Sequence, residues 1–157
     1  MKTKFLTTII TLLITSLIVV NAQNSQDKYV DSKGEAAFAG YDLVSYFQGQ
    51  KPQKGLPQYQ FEYDGLKLNF ASADNMALFK TDPEKYLPAY GGYCATAICN
   101  KVLLVPDFSN FQIQDGRLLF FETRAFFNGK TAWNKDPDLN EILADRFYRQ
   151  KFGSDGN

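Results

Sequence analysis

The sequence predicts a small single-domain α+β protein assembled from two β-hairpin-plus-helix units. Three observations carry this. Asp64-Gly65 and Asp115-Gly116 each separate two runs with strand-like alternation, and Asp-Gly in that setting is the strongest short-range hairpin signal. Asp82-Pro83 and Asp136-Pro137 follow the two hairpins in the same order, each placing an acidic cap before a proline in a first helical turn. Fourteen Phe, nine Tyr and one Trp supply the apolar area of one real core.

Residues 1–22 read as a signal peptide. Lys2 and Lys4 precede an uncharged apolar run from Phe5 to Val20, and Val20-Asn21-Ala22 ends on a small residue suited to cleavage. The run is short for a membrane span. Cleavage leaves a mature chain of about 135 residues, one domain by the usual scale. The protein is therefore expected to be exported, to the periplasm or the medium, with no membrane attachment afterwards. Residues 23–35 are polar and read as a flexible leader, 36–150 as the domain and 151–157 as a disordered tail.

The elements follow in order. Asp42 is placed to cap a short helical turn over Leu43 to Phe47. Gly49 to Pro57 combines two Gly, two Pro and two Lys into a surface loop. Tyr59, Phe61 and Tyr63 alternate with polar residues, as do Leu66, Leu68 and Phe70 after the turn. Ser72 reads as the cap of a helix carrying Met76 and Phe79. In the second unit Phe111 and Ile113 alternate with glutamines. Leu118 to Phe121 is apolar on both faces, as a strand buried on both sides requires. Thr123 is a candidate cap for a helix whose apolar side is Phe126, Phe127 and Trp133. Leu139, Ile142, Leu143 and Phe147 give the last helix its expected apolar stripe.

Charge limits the function classes. Seventeen basic residues balance seventeen acidic ones, and no basic block exists. Nucleic acid and anionic membranes are not expected partners. Catalysis is not expected either, because a cysteine nucleophile needs a base or a positive neighbour and the chain has no histidine.

The segment Tyr90-Gly91-Gly92-Tyr93-Cys94 is where chemistry is expected. Paired glycines mark a tight turn or a close approach. Tyr41, Asp42, Tyr90, Gly91, Gly92 and Tyr93 are the candidate walls of a small-ligand or partner site around Cys94; the alternative for Asp42 is a bond to backbone near Gly91-Gly92. Core-edge tyrosines are the plainer alternative. Cys94 and Cys99 admit a disulfide through an irregular turn, or two buried free thiols. Cys94, Cys99 and Met76 are also the soft donors of the mature chain, and soft sulfur selects Cu(I).

Four ordered motifs resemble a known family. Gly40-Tyr41-Asp42-Leu43-Val44-Ser45-Tyr46-Phe47 resembles the opening of exported YHS-domain proteins. Leu68-Asn69-Phe70-Ala71-Ser72-Ala73-Asp74-Asn75 is similar to their strand-to-helix junction. Phe79 to Tyr86 resembles the helix ending, and Tyr90 to Ala95 the segment that follows. The resemblance runs on to about Phe147. It implies a compact α+β domain and an association with soft metals, most plausibly copper. Ser45, Ala71 and Asn75 stand where the thiol-rich members carry cysteines. The expected function is binding or sensing of such a metal. The alternative is a non-catalytic small-ligand or protein-binding module that has lost the metal.

Overall fold

In a computed structural model, residues 28–30, 36–49 and 51–153 are described. The expected signal peptide, most of the leader and the last four tail residues lie outside them. The chain folds as a small α+β domain.

Strands β1 (Leu56–Tyr63) and β2 (Leu66–Phe70) form the first antiparallel hairpin, and β3 (Asp107–Gln114) and β4 (Arg117–Phe121) the second. Both turn on Asp-Gly with positive φ at both residues, 48° and 76° in the first, 49° and 81° in the second. That conformation matches the twist of the flanking strands. The likeness goes further than the turns. Each hairpin has a strand of 8 residues against one of 5. Each also carries the same irregularity, between Leu56 and Gln60 in one and between Asp107 and Phe111 in the other.

Helices follow each hairpin. Ser72 caps α1 (Ala73–Thr81) by accepting the Asn75 N–H, and Asp82-Pro83 opens the one-turn α2 (Pro83–Tyr86). Asp82 makes no side-chain capping bond there, whereas Asp136 accepts the Leu139 N–H at the start of the last helix. The two aspartates still share one backbone conformation, φ −150° and ψ 76° against φ −156° and ψ 76°. A short helix α3 (Ala95–Cys99) joins the two units.

Strand β4 organises the interior. Leu118 and Phe120 enter one apolar cluster, with Phe38, Leu43, Tyr46, Phe70 and Phe79. Leu119 and Phe121 enter the other, with Tyr90, Ile98, Trp133 and Tyr148. Alternation along a strand sends neighbours to opposite faces, so the unbroken apolar run seen in the sequence is a strand packed on both sides.

Three expectations are corrected. The leader is not loose throughout: Tyr29 and Val30 are buried, and the Val30 N–H bonds to the Gly91 carbonyl at 2.9 Å. Thr123 does not cap a helix. Thr123–Arg124 (β5) pairs with Phe127–Asn128 (β6) in a small ribbon, Asn128 caps α4 (Gly129–Trp133), and Phe126 is fully exposed at the ribbon's turn. The last helix, α5 (Pro137–Phe152), buries Ala144 and Tyr148 rather than the expected stripe, leaving Leu139, Ile142 and Leu143 exposed. Polar contacts set that face. Arg117 is paired with Glu141 and Asp145, and the Tyr148 hydroxyl donates to the Lys28 carbonyl. These bonds and the small Ala144 select the inward side over the larger apolar one.

Candidate functional site

Asp42 forms the most densely bonded corner of the molecule. Its carboxylate is wholly buried. One oxygen accepts the Val44 N–H at 2.9 Å and the Ser45 N–H at 3.4 Å, which caps the helical turn Leu43–Phe47. The other accepts the Ala71 N–H at 2.8 Å and the Asn75 side-chain amide at 2.5 Å. A buried carboxylate needs this many donors to replace lost hydration. The Asn75 oxygen accepts in turn from Gln48 at 2.9 Å. Ser45 thus meets Ala71 and Asn75, well over twenty residues further along the chain, around one carboxylate. They offer it a backbone N–H, a second backbone N–H and an amide. As a group they have the chemistry of an anion clamp, and the anion they hold is the protein's own.

The glycine pair serves close packing. A Cβ on Gly91 falls 1.8 Å from the Lys28 carbonyl oxygen, and one on Gly92 falls 2.6 Å from the Phe38 ring. Both surfaces that a ligand was expected to meet are covered by the chain itself. Tyr90 is buried, with its hydroxyl bonded to Asp145 at 2.9 Å and the Arg117 guanidinium 5.1 Å from its ring centre. Tyr93 is half-buried and packs against both clusters. Tyr41 lies in the first half beside Tyr46, with the Lys54 ammonium 3.6 Å over its ring. Of the expected wall, Asp42, Tyr90, Gly91 and Gly92 are buried in the interior, and Tyr41 and Tyr93 are half-buried at the core edge.

Of the sulfur donors, Cys94 and Cys99 stand at the two ends of α3 and Met76 lies on α1. Cys94 is fully buried and its sulfur accepts the Glu122 N–H at 3.3 Å. Cys99, at the other end of α3, donates to the carbonyls of Ala95 and Asn140 at 3.3 and 3.2 Å. Both are free thiols. Met76 packs against the first cluster and Cys99 against the second. Among the described residues, no group of three or more His, Cys, Asp or Glu is placed to hold a metal ion. Burial pushes the Cys99 thiol up to about 12, with the neighbouring Cys94 adding to the rise, and burial raises Cys94 as well.

The buried phenols of Tyr29, Tyr46, Tyr90 and Tyr148 are raised for the same reason. Every one of these groups favours its neutral form in the fold. Their contribution to stability is complete below the ordinary thiol value of 9.0 and is lost as pH climbs towards the raised values. Urea midpoints are expected to fall from about pH 9 upwards, with a shallower fall in Cys99→Ala; a level midpoint to about pH 11 contradicts this.

Sequence reasoning missed two features. The contacts joining Arg117, Glu141, Asp145 and Tyr90 bring together residues from three separate elements, and no local motif announces them. The ribbon was concealed by its aromatics, which were read as a helix face. It borders a shallow cleft of about 450 Å³ lined by Arg124, Phe126, Phe127, Thr131 and Lys135 among others. No helix among the described residues is long and apolar enough to cross a membrane. No family model, curated protein or solved structure matches this chain.

Proposed function

We propose that this is an exported, non-catalytic binding module of the YHS type that docks a protein partner through the β5–β6 ribbon. One observation carries the reading: the ribbon has no counterpart in the first unit, and it displays Phe126 wholly to solvent. In the first unit only Ala71 separates β2 from the cap of α1. In the second, the ribbon stands between β4 and the cap of α4. Neither hairpin needs the ribbon for its pairing, and Phe126 adds nothing to the core. An exposed phenylalanine forgoes about 2 kcal/mol of burial, which an apolar pocket on a partner recovers. Aromatic side chains dominate interfaces in this way.

Phe126→Ser is expected to leave the unfolding free energy within about 0.5 kcal/mol of wild type, because nothing packs on the ring. In extracts of the native compartment, wild-type protein is expected to elute in a larger assembly and Phe126→Ser as the free chain. Identical elution of both as free chain overturns the reading.

A second reading is favoured by a different observation. Cys94 and Cys99 lie at the two ends of the five-residue helix α3, both as free thiols. They are the pair that a soft metal such as copper would use, although the Cys94 sulfur would first have to give up the Glu122 N–H. Elemental analysis of protein purified from its native compartment separates the two: stoichiometric copper supports the metal, and its absence from intact complex supports the partner.

A further inference from the structure

The likeness of the two units does not begin at the hairpins. Phe38, Ala39 and Gly40 run through three consecutive positive φ values, 53°, 50° and 71°. Tyr90, Gly91 and Gly92 do the same, at 55°, 60° and 81°. Non-glycine residues rarely adopt this conformation, and Phe38, Ala39 and Tyr90 are held in it by their surroundings. Next comes an extended tyrosine in both cases, Tyr41 at φ −73° and ψ 143° and Tyr93 at φ −70° and ψ 159°. After the tyrosine stands a helix cap, Asp42 in one and Cys94 in the other, each leading into a helical segment of 5 residues.

The bonds of the two caps correspond as well. The Asp42 N–H donates to the Gln53 carbonyl at 2.9 Å, and the Cys94 N–H to the Leu104 carbonyl at 3.0 Å. Both acceptors lie on the approach to a first hairpin strand. The Asp42 carboxylate accepts the N–H of Ala71, the residue just past β2. The Cys94 sulfur accepts the N–H of Glu122, the residue just past β4. Val44 and Ser45 donate to Asp42 from the helical turn. Thr96 and Ala97 take the corresponding places. Neither makes a capping bond to the sulfur.

We infer that the domain is one structural unit built twice, and that Cys94 is the counterpart of Asp42: a buried acceptor tying the cap of α3 to the end of β4. The same tie from helix cap to strand end is made in both halves, by a carboxylate in one and a sulfur in the other. This assigns Cys94 a positioning role that does not depend on the partner reading.

The competing account is that Cys94 is only a small hydrophobe. The two accounts order substitutions oppositely. A serine keeps an acceptor for the Glu122 N–H but places a hydroxyl among apolar neighbours, whereas an alanine keeps the apolar character and removes the acceptor. The clamp predicts a smaller loss of unfolding midpoint in Cys94→Ser than in Cys94→Ala; the hydrophobe predicts the reverse. Exchange of the Glu122 amide, relative to the β4 amides before it, is expected to be about tenfold faster in Cys94→Ala than in wild type, the effect of one net hydrogen bond. Wild-type protein alone supplies a further check should either variant fail to fold. The Glu122 and Ala71 amides are both expected to be protected from exchange. A freely exchanging Glu122 amide in wild type, or an alanine variant at least as stable as the serine one, overturns the assignment.

Discussion

Gly91→Ala is expected to cost at least about 3 kcal/mol and to release the segment at Lys28 to Val30. The reason is geometric. Gly91 sits at φ +60°, where a side chain is strained, and its Cβ would lie 1.8 Å from a backbone oxygen of Lys28 and 2.7 Å from the Tyr148 hydroxyl. Left-handed strain alone is worth about 1–2 kcal/mol. The clash cannot be relieved by a rotamer, because the nearest atom is main chain. Undocking Lys28 to Val30 forfeits the Val30 N–H bond to Gly91, the Tyr148 bond to Lys28, and the burial of Tyr29 and Val30. Gly153→Ala is the control: it has φ +70° with nothing within 4 Å, so it pays the strain alone. Urea denaturation gives the energies, and tryptic cleavage after Lys28 reports the release. A Gly91→Ala protein as stable as Gly153→Ala, with Lys28 still resistant, would mean that the segment does not hold the fold together.

Asp42→Ala is expected to lose about 3–5 kcal/mol. The alanine leaves the N–H groups of Val44 and Ala71 and the Asn75 amide without their acceptor in a dry interior. Asn75→Ala removes one donor and leaves the carboxylate three others, so its loss is expected to be clearly smaller. Asp42→Asn falls between, since its amide keeps one acceptor oxygen and turns an NH₂ towards backbone N–H groups that can only donate. Denaturant midpoints across the three variants check the order. An Asp42→Ala variant within about 1 kcal/mol of wild type would show that water enters the corner and replaces the carboxylate.

The sequence carried the local signals accurately. Asp64-Gly65 and Asp115-Gly116 take the turn conformation that their residue types favour. Ser72 and Asp136 cap helices because a short oxygen-bearing side chain reaches the free N–H groups at a helix start. Leu118 to Phe121 announces a strand buried on both faces through its unbroken apolar run. In each of these cases cause and effect lie within a few residues of one another.

Distant contacts decided the rest. The residues Phe126 and Phe127 look like helix-core aromatics, yet the ribbon pairing of Thr123 with Asn128 turns Phe126 to water. Leu139, Ile142 and Leu143 look like the buried face of α5, yet Glu141, Asp145 and Tyr148 find bonding partners inside and turn the helix the other way. The corner at Asp42 was legible in its parts: a cap, a strand end and a helix start. That one carboxylate serves all three was not, because Ala71 contributes only a backbone N–H and Asn75 arrives from another element. Cys94 stood out in the sequence as a soft donor, but its sulfur holds the backbone N–H corresponding to the one Asp42 holds in the other half. Residue type and spacing by themselves determined the turns, caps and strands, since these depend on the chain's own neighbours. Which faces are buried, and which side chain holds which backbone group, only the tertiary structure decided, because burial and hydrogen-bond satisfaction belong to residues brought together by the whole fold.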